Sequence, residues 1–169
     1  MGFVPDLNAT AAAVLGLLHD GPKTGGELVT AARERFGGFF GVTRSQVYRE
    51  LPVLAGAGLV RLGKQGARSS QQYAITAAGK RAFKSWLSAA AAPDQLRSTL
   101  ILRLLHSGSL TPRQRAELVA NARRAYAARL ETARVAARTA ADPYTKATAD
   151  FAVSHNRALL KLLDAIPAG

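Results

Sequence analysis

The stretch "TRSQVYRELPVLAGAGLVRL", residues 43–62, determines how the first half of the chain is interpreted. It opens on Thr43, a residue type that commonly caps helix N-termini. Apolar residues then recur at the three- and four-residue spacing of one helix face: Val47, Leu51 and Leu54. Two glycines lead from this segment into the β-like run 59–62. The stretch therefore predicts a short helix with a polar front end, joined directly to a strand.

A proline lies in the middle of the same stretch. Pro52 has no backbone N–H, and its ring disfavours helical geometry at the residue before it. We therefore expect the polar part of the helix to end or bend between Tyr48 and Leu51, with residues 53–58 as a separate turn. About two helical turns would still remain in front of the proline, enough to present side chains to a DNA groove.

The flanking segments complete a recognisable order of elements. "LNATAAAVLGLLHDG" reads as a first helix capped by Asn8 or Thr10, and "TGGELVTAARERFGG" as a second, with Thr24 and Glu27 at the spacing of a capping box. Short β-like runs at 59–62 and 72–75 form a hairpin, and a fourth helix follows Thr76. Three helices, a hairpin and a helix are the order of a winged helix-turn-helix domain with a two-stranded wing.

The second half of the chain reads as helix throughout. A linker near residue 92 divides the chain into residues 1–92 and 93–169, and the overall class is mainly α. "TPRQRAELVANARRAYAARLETARVAARTAAD" has proline at its first helical position and apolar residues every three or four positions. A long helix followed by an amphipathic terminal helix is typical of a dimerisation domain. The residues expected at the dimer contact are Leu100, Ile101, Leu104, Leu105, Phe151, Leu159 and Leu162.

The charge indicates a polyanionic partner. The chain has 23 basic and 11 acidic residues, a formal net charge of +12. Both halves share the excess, with 11 basic and 5 acidic residues up to position 92 and 12 and 6 after it. No acidic residue occurs between Leu51 and Pro93. This acid-free window, next to the helix–strand junction, favours DNA binding there, although a solvated basic face is the alternative.

Several other classes of protein are disfavoured. The chain contains no cysteine, which excludes disulfides and thiolate chemistry, and its three histidines fall on different predicted helices. We recognise no catalytic triad, phosphate-binding glycine loop or paired-carboxylate motif, so we expect neither an enzyme nor a metal or cofactor site. No segment resembles a signal peptide or is apolar enough to span a bilayer. A cytoplasmic protein is expected.

The predicted helix 43–51 supplies most of the candidate DNA contacts. In a winged helix-turn-helix domain this helix enters the major groove, while the wing tracks the backbone or the minor groove. Arg44 suits guanine and Gln46 suits adenine, because each side chain can bond two groups on that base. The remaining candidates are suited to phosphate or groove contacts: Thr24, Thr43, Ser45, Tyr48, Arg49, and in the wing Lys64 and Arg68.

Three segments together resemble the PadR-like transcriptional regulators. The family's "LLxxGP" run is matched by residues 17–22, its Tyr-Arg pair followed by "L…GLV" by residues 48–60, and its "Y-x-I/L-T-x-x-G" segment by residues 73–79. The resemblance covers roughly residues 11–90, and the second half by architecture only. It implies a homodimer, often a repressor that releases DNA when a small apolar or phenolic molecule binds.

The chain departs from the family pattern at two places. The second helix begins Thr24-Gly25-Gly26-Glu27, without the aromatic residue that the family often has there. In the wing, Ser70 and Gln71 replace positions that are often basic, which would weaken wing contacts with DNA. An effector pocket at the domain junction would use the aromatic residues Tyr73, Phe83 and Trp86, whose alternative role is ordinary core packing.

These observations favour a homodimeric, sequence-specific regulator that binds a palindromic site on double-stranded DNA and responds to a small ligand. The alternative from another class is a winged-helix module that binds proteins and has weak or nonspecific DNA affinity. An interfacial membrane protein is disfavoured, because the arginine-rich helix has mostly alanine opposite its arginines.

Overall fold

The computed structural model describes residues 7–36, 38–65, 70–91 and 93–167. The chain divides into two compact units, Met1–Pro93 and Asp94–Gly169, one residue beyond the boundary that the linker predicts. None of the helices in the described ranges combines the length and apolarity that crossing a membrane requires.

Four helices form the first unit, and their N-termini have side-chain caps that the sequence predicts. They are α1 Ala9–Leu18, α2 Gly25–Phe36, α3 Arg44–Gly56 and α4 Ala77–Ser88. The Asn8 side chain accepts the N–H of Ala11, which identifies Asn8 as the cap of α1. Thr43 and Thr76 cap α3 and α4 in the same way. Each cap satisfies a backbone donor that would otherwise lack an intrahelical partner.

The core of this unit collects the apolar faces of the first three helices. Its most deeply buried side chains are those of Val14, Leu15, Leu17, Leu18, Leu28, Val47 and Leu51. Full burial of one such side chain stabilises a fold by about 1.5–3 kcal/mol. The helix-turn-helix is therefore held mainly by aliphatic packing between α1, α2 and α3.

The sheet has three strands where the sequence predicted two. Strands β2 Val60–Gln65 and β3 Gln71–Ile75 form the expected antiparallel hairpin, but β1 Lys23–Thr24 pairs with the other side of β3. Lys23 lies opposite Tyr73, and Thr24 opposite Gln72. A two-residue strand directly before a helix has no periodicity of its own, so only its tertiary partner reveals it. The prediction of a two-stranded wing omitted this strand.

Pro52 does not end the polar helix, and the expectation that residues 53–58 form a separate turn was wrong for residues 53–56. Helix α3 continues through the proline to Gly56, and residues 53–56 belong to it. Leu51 and Leu54, on either side of Pro52, are 1% and 2% exposed. Their burial outweighs the cost of about 3 kcal/mol that an interior proline imposes. The helix ends at Gly56, and Gly58, two residues further on, has a φ of +70°, a conformation that glycine adopts without strain.

The second unit consists of helices. They are α5 Thr99–Leu105, a 3-10 turn Ser107–Ser109, α6 Pro112–Thr139 and α7 Pro143–Asp164. The long helices α6 and α7 pack against each other after a short turn, and Arg123 on α6 pairs with Asp164 at the end of α7. The buried side chains of this helical hairpin are Leu130, Ala133, Ala149, Asn156, Leu159 and Leu163.

A close backbone approach at Gly79 gives the first testable prediction. A Cβ added to Gly79 would lie 2.1 Å from the carbonyl oxygen of Leu59, which is part of the backbone and cannot simply rotate away. We expect Gly79→Ala to lower the free energy of unfolding by at least about 2 kcal/mol, as overpacking does. Urea denaturation of the full chain would measure this change.

Gly56→Ala is the matched control. No atom lies within 4 Å of a Cβ added at Gly56, and the residue is helical. We expect this substitution to leave stability unchanged or to raise it, because alanine has the higher helix propensity. Equal destabilisation by the two substitutions would contradict the steric explanation.

Candidate nucleic-acid interface

Helix α3 has a buried face and a polar exposed face. Val47, Glu50, Leu51 and Leu54 are its buried residues. The exposed residues near its N-terminus are Thr43, Arg44, Ser45, Tyr48 and Arg49. Five of the candidate contact residues therefore lie together on the solvent side of one helix end. Gln46, the sixth from this segment, is half-buried.

Gln46 is engaged in the cap of α3. Its Oε1 accepts the backbone N–H of Thr43 at 2.8 Å and the Thr43 hydroxyl at 3.0 Å, while the N–H of Gln46 donates to Thr43 Oγ1 at 3.3 Å. This reciprocal capping box was not anticipated. A bidentate contact with adenine needs both Oε1 and the amide NH₂ of a glutamine. Gln46 can make that contact only if it leaves the capping box.

Tyr48 packs between the start of α2 and an arginine. A Cβ added at the buried Gly25 would lie 2.8 Å from Tyr48 Cζ, so the tyrosine ring fits there only because residue 25 is glycine. The guanidinium of Arg44 lies over the same ring, 5.3 Å from its centroid. The ring thus supports Arg44 one helical turn away. Sequence reasoning missed Gly25, which directly precedes Gly26, the position where the family's aromatic residue is absent.

Glu50 is a buried carboxylate next to Arg49. It is 6% exposed, and its Oε2 accepts a hydrogen bond from Asn8 Nδ2 at 3.3 Å. Its other oxygen lies 3.6 Å from a guanidinium nitrogen of the exposed Arg49. Asn8, whose Oδ1 caps α1, therefore also connects α1 to α3. The sequence contained one signal for Glu50: it is an acid within a helix whose other charged residues are basic.

Thr24 begins α2 with the predicted capping box. Its N–H donates to Glu27 Oε2 at 2.7 Å, and its hydroxyl oxygen accepts the N–H of Glu27 at 3.2 Å. The hydrogen bond from the Thr24 backbone lowers the pKa of Glu27, because it favours the charged carboxylate. Thr24 and a negative charge thus lie together at this helix end.

The wing places basic side chains in solvent. Lys64 and Arg61 on β2 are both exposed. Gln71, at a position where the family is often basic, instead bonds within the wing: its Nε2 donates to the carbonyls of Gly63 and Gln72 at 3.0 and 2.9 Å. Arg68, the other wing residue predicted to contact DNA, lies outside the described residues.

The predicted pocket residues Tyr73, Phe83 and Trp86 do not share one environment. Tyr73 and Phe83 are partly buried against the core, and Phe83 lies against Gly16. Trp86 is 39% exposed and stacks on Phe83 at a centroid distance of 6.4 Å. Core packing is therefore observed for Tyr73 and Phe83, and the role of the three aromatics in an effector pocket stays a prediction.

The predicted dimer residues divide by exposure. Leu105 is 76% exposed, Phe151 60% and Leu162 36%, so part of each side chain lies in solvent. Leu104 and Leu159 are each 7% exposed and are already covered within the chain, while Leu100 and Ile101 are intermediate. Within the described residues, no group of three or more potential metal ligands comes together.

Comparison with known proteins agrees with the geometry. Residues 14–85 match the Transcriptional regulator PadR-like family. The chain is also 33% identical over 78 residues to the negative transcriptional regulator PadR of Bacillus subtilis. That alignment covers 44% of this chain and 43% of the B. subtilis protein, so it spans less than half of either one.

Solved structures of this family have the same fold over nearly the whole chain. Bacillus subtilis PadR in complex with operator DNA superposes with a TM-score of 0.77 at 22% identity, covering 94% of this chain and 97% of that one. A PadR-like regulator from Bacillus cereus gives a TM-score of 0.80 at 18% identity, covering 92% and 93%. B. subtilis PadR in complex with p-coumaric acid gives 0.69 at 20% identity, covering 95% and 96%.

The first unit is a winged helix-turn-helix domain, and the second has the helical fold that accompanies it in these structures. Residues 14–85, which are less than half of the chain, match the PadR-like family of transcriptional regulators. The family predicted from the three sequence segments and the predicted fold class are therefore confirmed. A family of regulators also agrees with the expectation that the chain is not an enzyme.

Proposed function

We propose that this protein is a homodimeric transcriptional regulator that binds a palindromic operator in double-stranded DNA and acts as a ligand-responsive repressor in the cytoplasm. The observation that carries the proposal is the exposed polar end of α3 on a PadR-like winged helix. The solved complex of B. subtilis PadR with operator DNA, which has this fold, supports it.

In the proposed complex, the N-terminal end of α3 enters the major groove. Arg44 reads a guanine through its O6 and N7 atoms. Thr24, Thr43, Ser45, Tyr48 and Arg49 contact phosphates, while Lys64 and Arg68 follow the backbone from the wing. Gln46 reads adenine only in a complex in which its capping box with Thr43 has opened. The hydrogen bonds lost from the capping box then have to be offset by the new contacts to the base.

The proposed homodimer uses apolar side chains of α5 and α7. Leu105, Phe151 and Leu162 are exposed enough to be covered by a second copy. Burial of exposed apolar area drives association, roughly in proportion to the apolar area removed from water. Two copies would present their α3 helices to half-sites about 34 Å apart, one turn of DNA.

The proposed effector is a small apolar or phenolic molecule. B. subtilis PadR has been solved with p-coumaric acid, and in this chain the stacked pair Phe83 and Trp86 offers an aromatic surface. A ligand that favours a dimer geometry mismatched to the two half-sites would release the DNA, because it shifts the population away from the binding state.

Selection of genomic DNA fragments by the purified protein at near-physiological salt tests the DNA-binding part. We expect recovery of a palindromic site. Unselected sequences, bound with a steep salt dependence, would instead indicate a nonspecific basic surface, and no retained DNA would favour the protein-interaction module.

Two substitutions separate base reading from phosphate binding on the recovered site. Arg44→Ala should cost about 1–3 kcal/mol and relax specificity at one base position. Lys64→Ala should weaken binding equally for all sequences and reduce the salt slope by about one. Fluorescence anisotropy with single-base variants of the site would measure both. An Arg44→Ala protein that loses affinity equally for every variant would contradict its role in base reading.

Glu50→Gln tests whether the buried carboxylate holds Arg49 in place for DNA. Loss of a negative charge on α3 would strengthen DNA binding if Glu50 were only an acid near phosphates. Loss of the contact with Arg49 should instead weaken DNA binding by about 0.5–1 kcal/mol, the coupling energy expected for two residues in contact. The same substitution in an Arg49→Ala background serves as the control, and it should no longer weaken binding. Tighter binding by Glu50→Gln would refute the assignment.

The effector is tested in the same anisotropy assay. Titration of the protein–operator complex with p-coumaric acid should release the DNA. The Trp86→Ala protein should need a higher concentration of p-coumaric acid for the same release. Release that is unaffected by Trp86→Ala would place the effector away from this aromatic pair. If a series of hydroxylated aromatic acids left the affinity of the protein for its operator unchanged, this class of effector would be excluded.

A further inference from the structure

A groove runs between α6 and the last turn of α7, within the second unit. Its volume is about 460 Å³, in the range of sites that hold small molecules. The residues that line it come from positions 115–124 of α6 and from positions 163–167 at the end of α7. The groove therefore belongs to one unit, and the aromatic pair Phe83 and Trp86 of the first unit takes no part in it.

The middle of the groove is apolar. Leu163 is buried, and Val119 and Ile166, which line the groove with it, are half-buried. On α6 the small side chains of Ala116 and Ala120, both exposed, leave the groove open to solvent. A ligand with an apolar body would cover these side chains and remove apolar area from water, which favours binding.

Three arginines line the groove together with this apolar middle: Arg115, Arg123 and Arg124. Arg115, Val119 and Arg123 follow one another at four-residue intervals, so they lie on one side of α6. Among the described residues that line the groove, the one acid is Asp164, which pairs with Arg123. Three positive charges and one negative charge give the groove a net charge of +2.

Arg115 is held in place by neutral groups. Its Nε donates to the carbonyl oxygen of Ser107 at 3.2 Å, and its Nη2 donates to the carbonyl oxygen of Leu110 at 3.1 Å. In the described part of the chain it forms no ion pair, whereas Arg113 and Arg123 on the same helix pair with carboxylates. A guanidinium that is fixed before binding loses little conformational entropy when an anion binds to it.

We infer that this groove binds a small organic anion, with an apolar body and one carboxylate that pairs with Arg115. A guanidinium presents N–H donors in a fixed fork that matches a carboxylate, and bonds between charged groups of this kind are stronger than neutral ones. The apolar body lies over Val119 and Leu163. Arg124, whose guanidinium donates to the neutral side chain of Asn121, adds positive potential to the same groove. This site is additional to the aromatic surface proposed above for an effector.

Calorimetric titration of the full-length protein with sodium octanoate, in the absence of DNA, tests the inference. Octanoate has the apolar body and the carboxylate, and octan-1-ol has the same apolar body without the charge. We expect octan-1-ol to bind at least about tenfold more weakly than octanoate, because the hydrogen bonds to a charged carboxylate are lost. Octanoate that binds no more tightly than octan-1-ol would overturn the inference.

Two matched substitutions on α6 locate the site. Ala120→Glu places a carboxylate inside the groove, where it pairs with the arginines and takes the space of the ligand. Ala127→Glu adds the same charge at an exposed position of the same helix outside the groove. We expect Ala120→Glu to weaken octanoate binding at least about tenfold, and Ala127→Glu to change it by less than about twofold, because salt screens a distant exposed charge. Equal weakening by both would mean a response to net charge alone and would contradict the site.

Arg115→Gln tests the assigned partner of the carboxylate. We expect it to lower the affinity for octanoate to that for octan-1-ol and to leave octan-1-ol binding unchanged. A variant that had lost the groove would lose both ligands, and Ala120→Glu, which keeps the contacts of Arg115, would then decide. Undiminished octanoate binding by Arg115→Gln would refute the assignment.

A competing location for octanoate is the aromatic surface of the first unit. Weaker octanoate binding by Trp86→Ala, together with unchanged binding by Ala120→Glu, would place the ligand there and overturn the inference. These titrations contain no operator DNA, so failure of the protein to bind an operator would leave their result intact. Failure to bind octanoate, conversely, would not alter the operator measurements.

Discussion

The hydroxyl of Thr76 holds the first unit together at the point where the end of α3, the wing and α4 meet. It donates to the carbonyl oxygens of Gly58 and Leu59, at 2.7 and 3.1 Å, and accepts the N–H of Gly79 at 3.0 Å. The N–H of Thr76 also donates to Leu59. Because Gly79 has no side chain, α4 can approach the Leu59 carbonyl closely. One side chain thus sets where the wing begins relative to α3.

The exposed end of α3 is organised by contacts to its own neighbours. Gln46 is held by Thr43, Arg44 by the ring of Tyr48, and Arg49 by the buried Glu50. Restraining a long side chain before binding reduces the conformational entropy lost when a complex forms. For Gln46 the restraint disfavours a contact with a base, because its carbonyl oxygen already accepts hydrogen bonds from Thr43. In the proposed complex with DNA, this helix end therefore favours contacts by arginine over a contact by Gln46.

The second unit has two chemically different exposed surfaces. Leu105 and Phe151 are exposed apolar side chains, whereas α6 carries a series of exposed charges that alternate in sign: Glu117, Arg124, Glu131 and Arg138. Apolar burial gives affinity without fixing direction, because it depends on area alone. A row of alternating charges contributes little affinity but discriminates between registers.

The sequence by itself determined the order of the elements and their caps. Asn8, Thr24, Thr43 and Thr76 act on backbone groups within one turn, so a short window of sequence contains the whole interaction. The three segments that resemble the PadR-like family, and the helical second half, were predictable for the same reason: they depend on local patterns of residues.

Only the tertiary structure decided the rest. Burial of Leu51 and Leu54 carries α3 through Pro52, β1 exists because β3 lies beside it, and Glu50 is bonded to Asn8, 42 residues away in sequence. The ring of Tyr48 lies on Gly25, which belongs to another helix. These features are set by contacts between residues distant in the chain, whose energies exceed local propensities. No window of sequence around either partner contains the other, so folding alone brings them together.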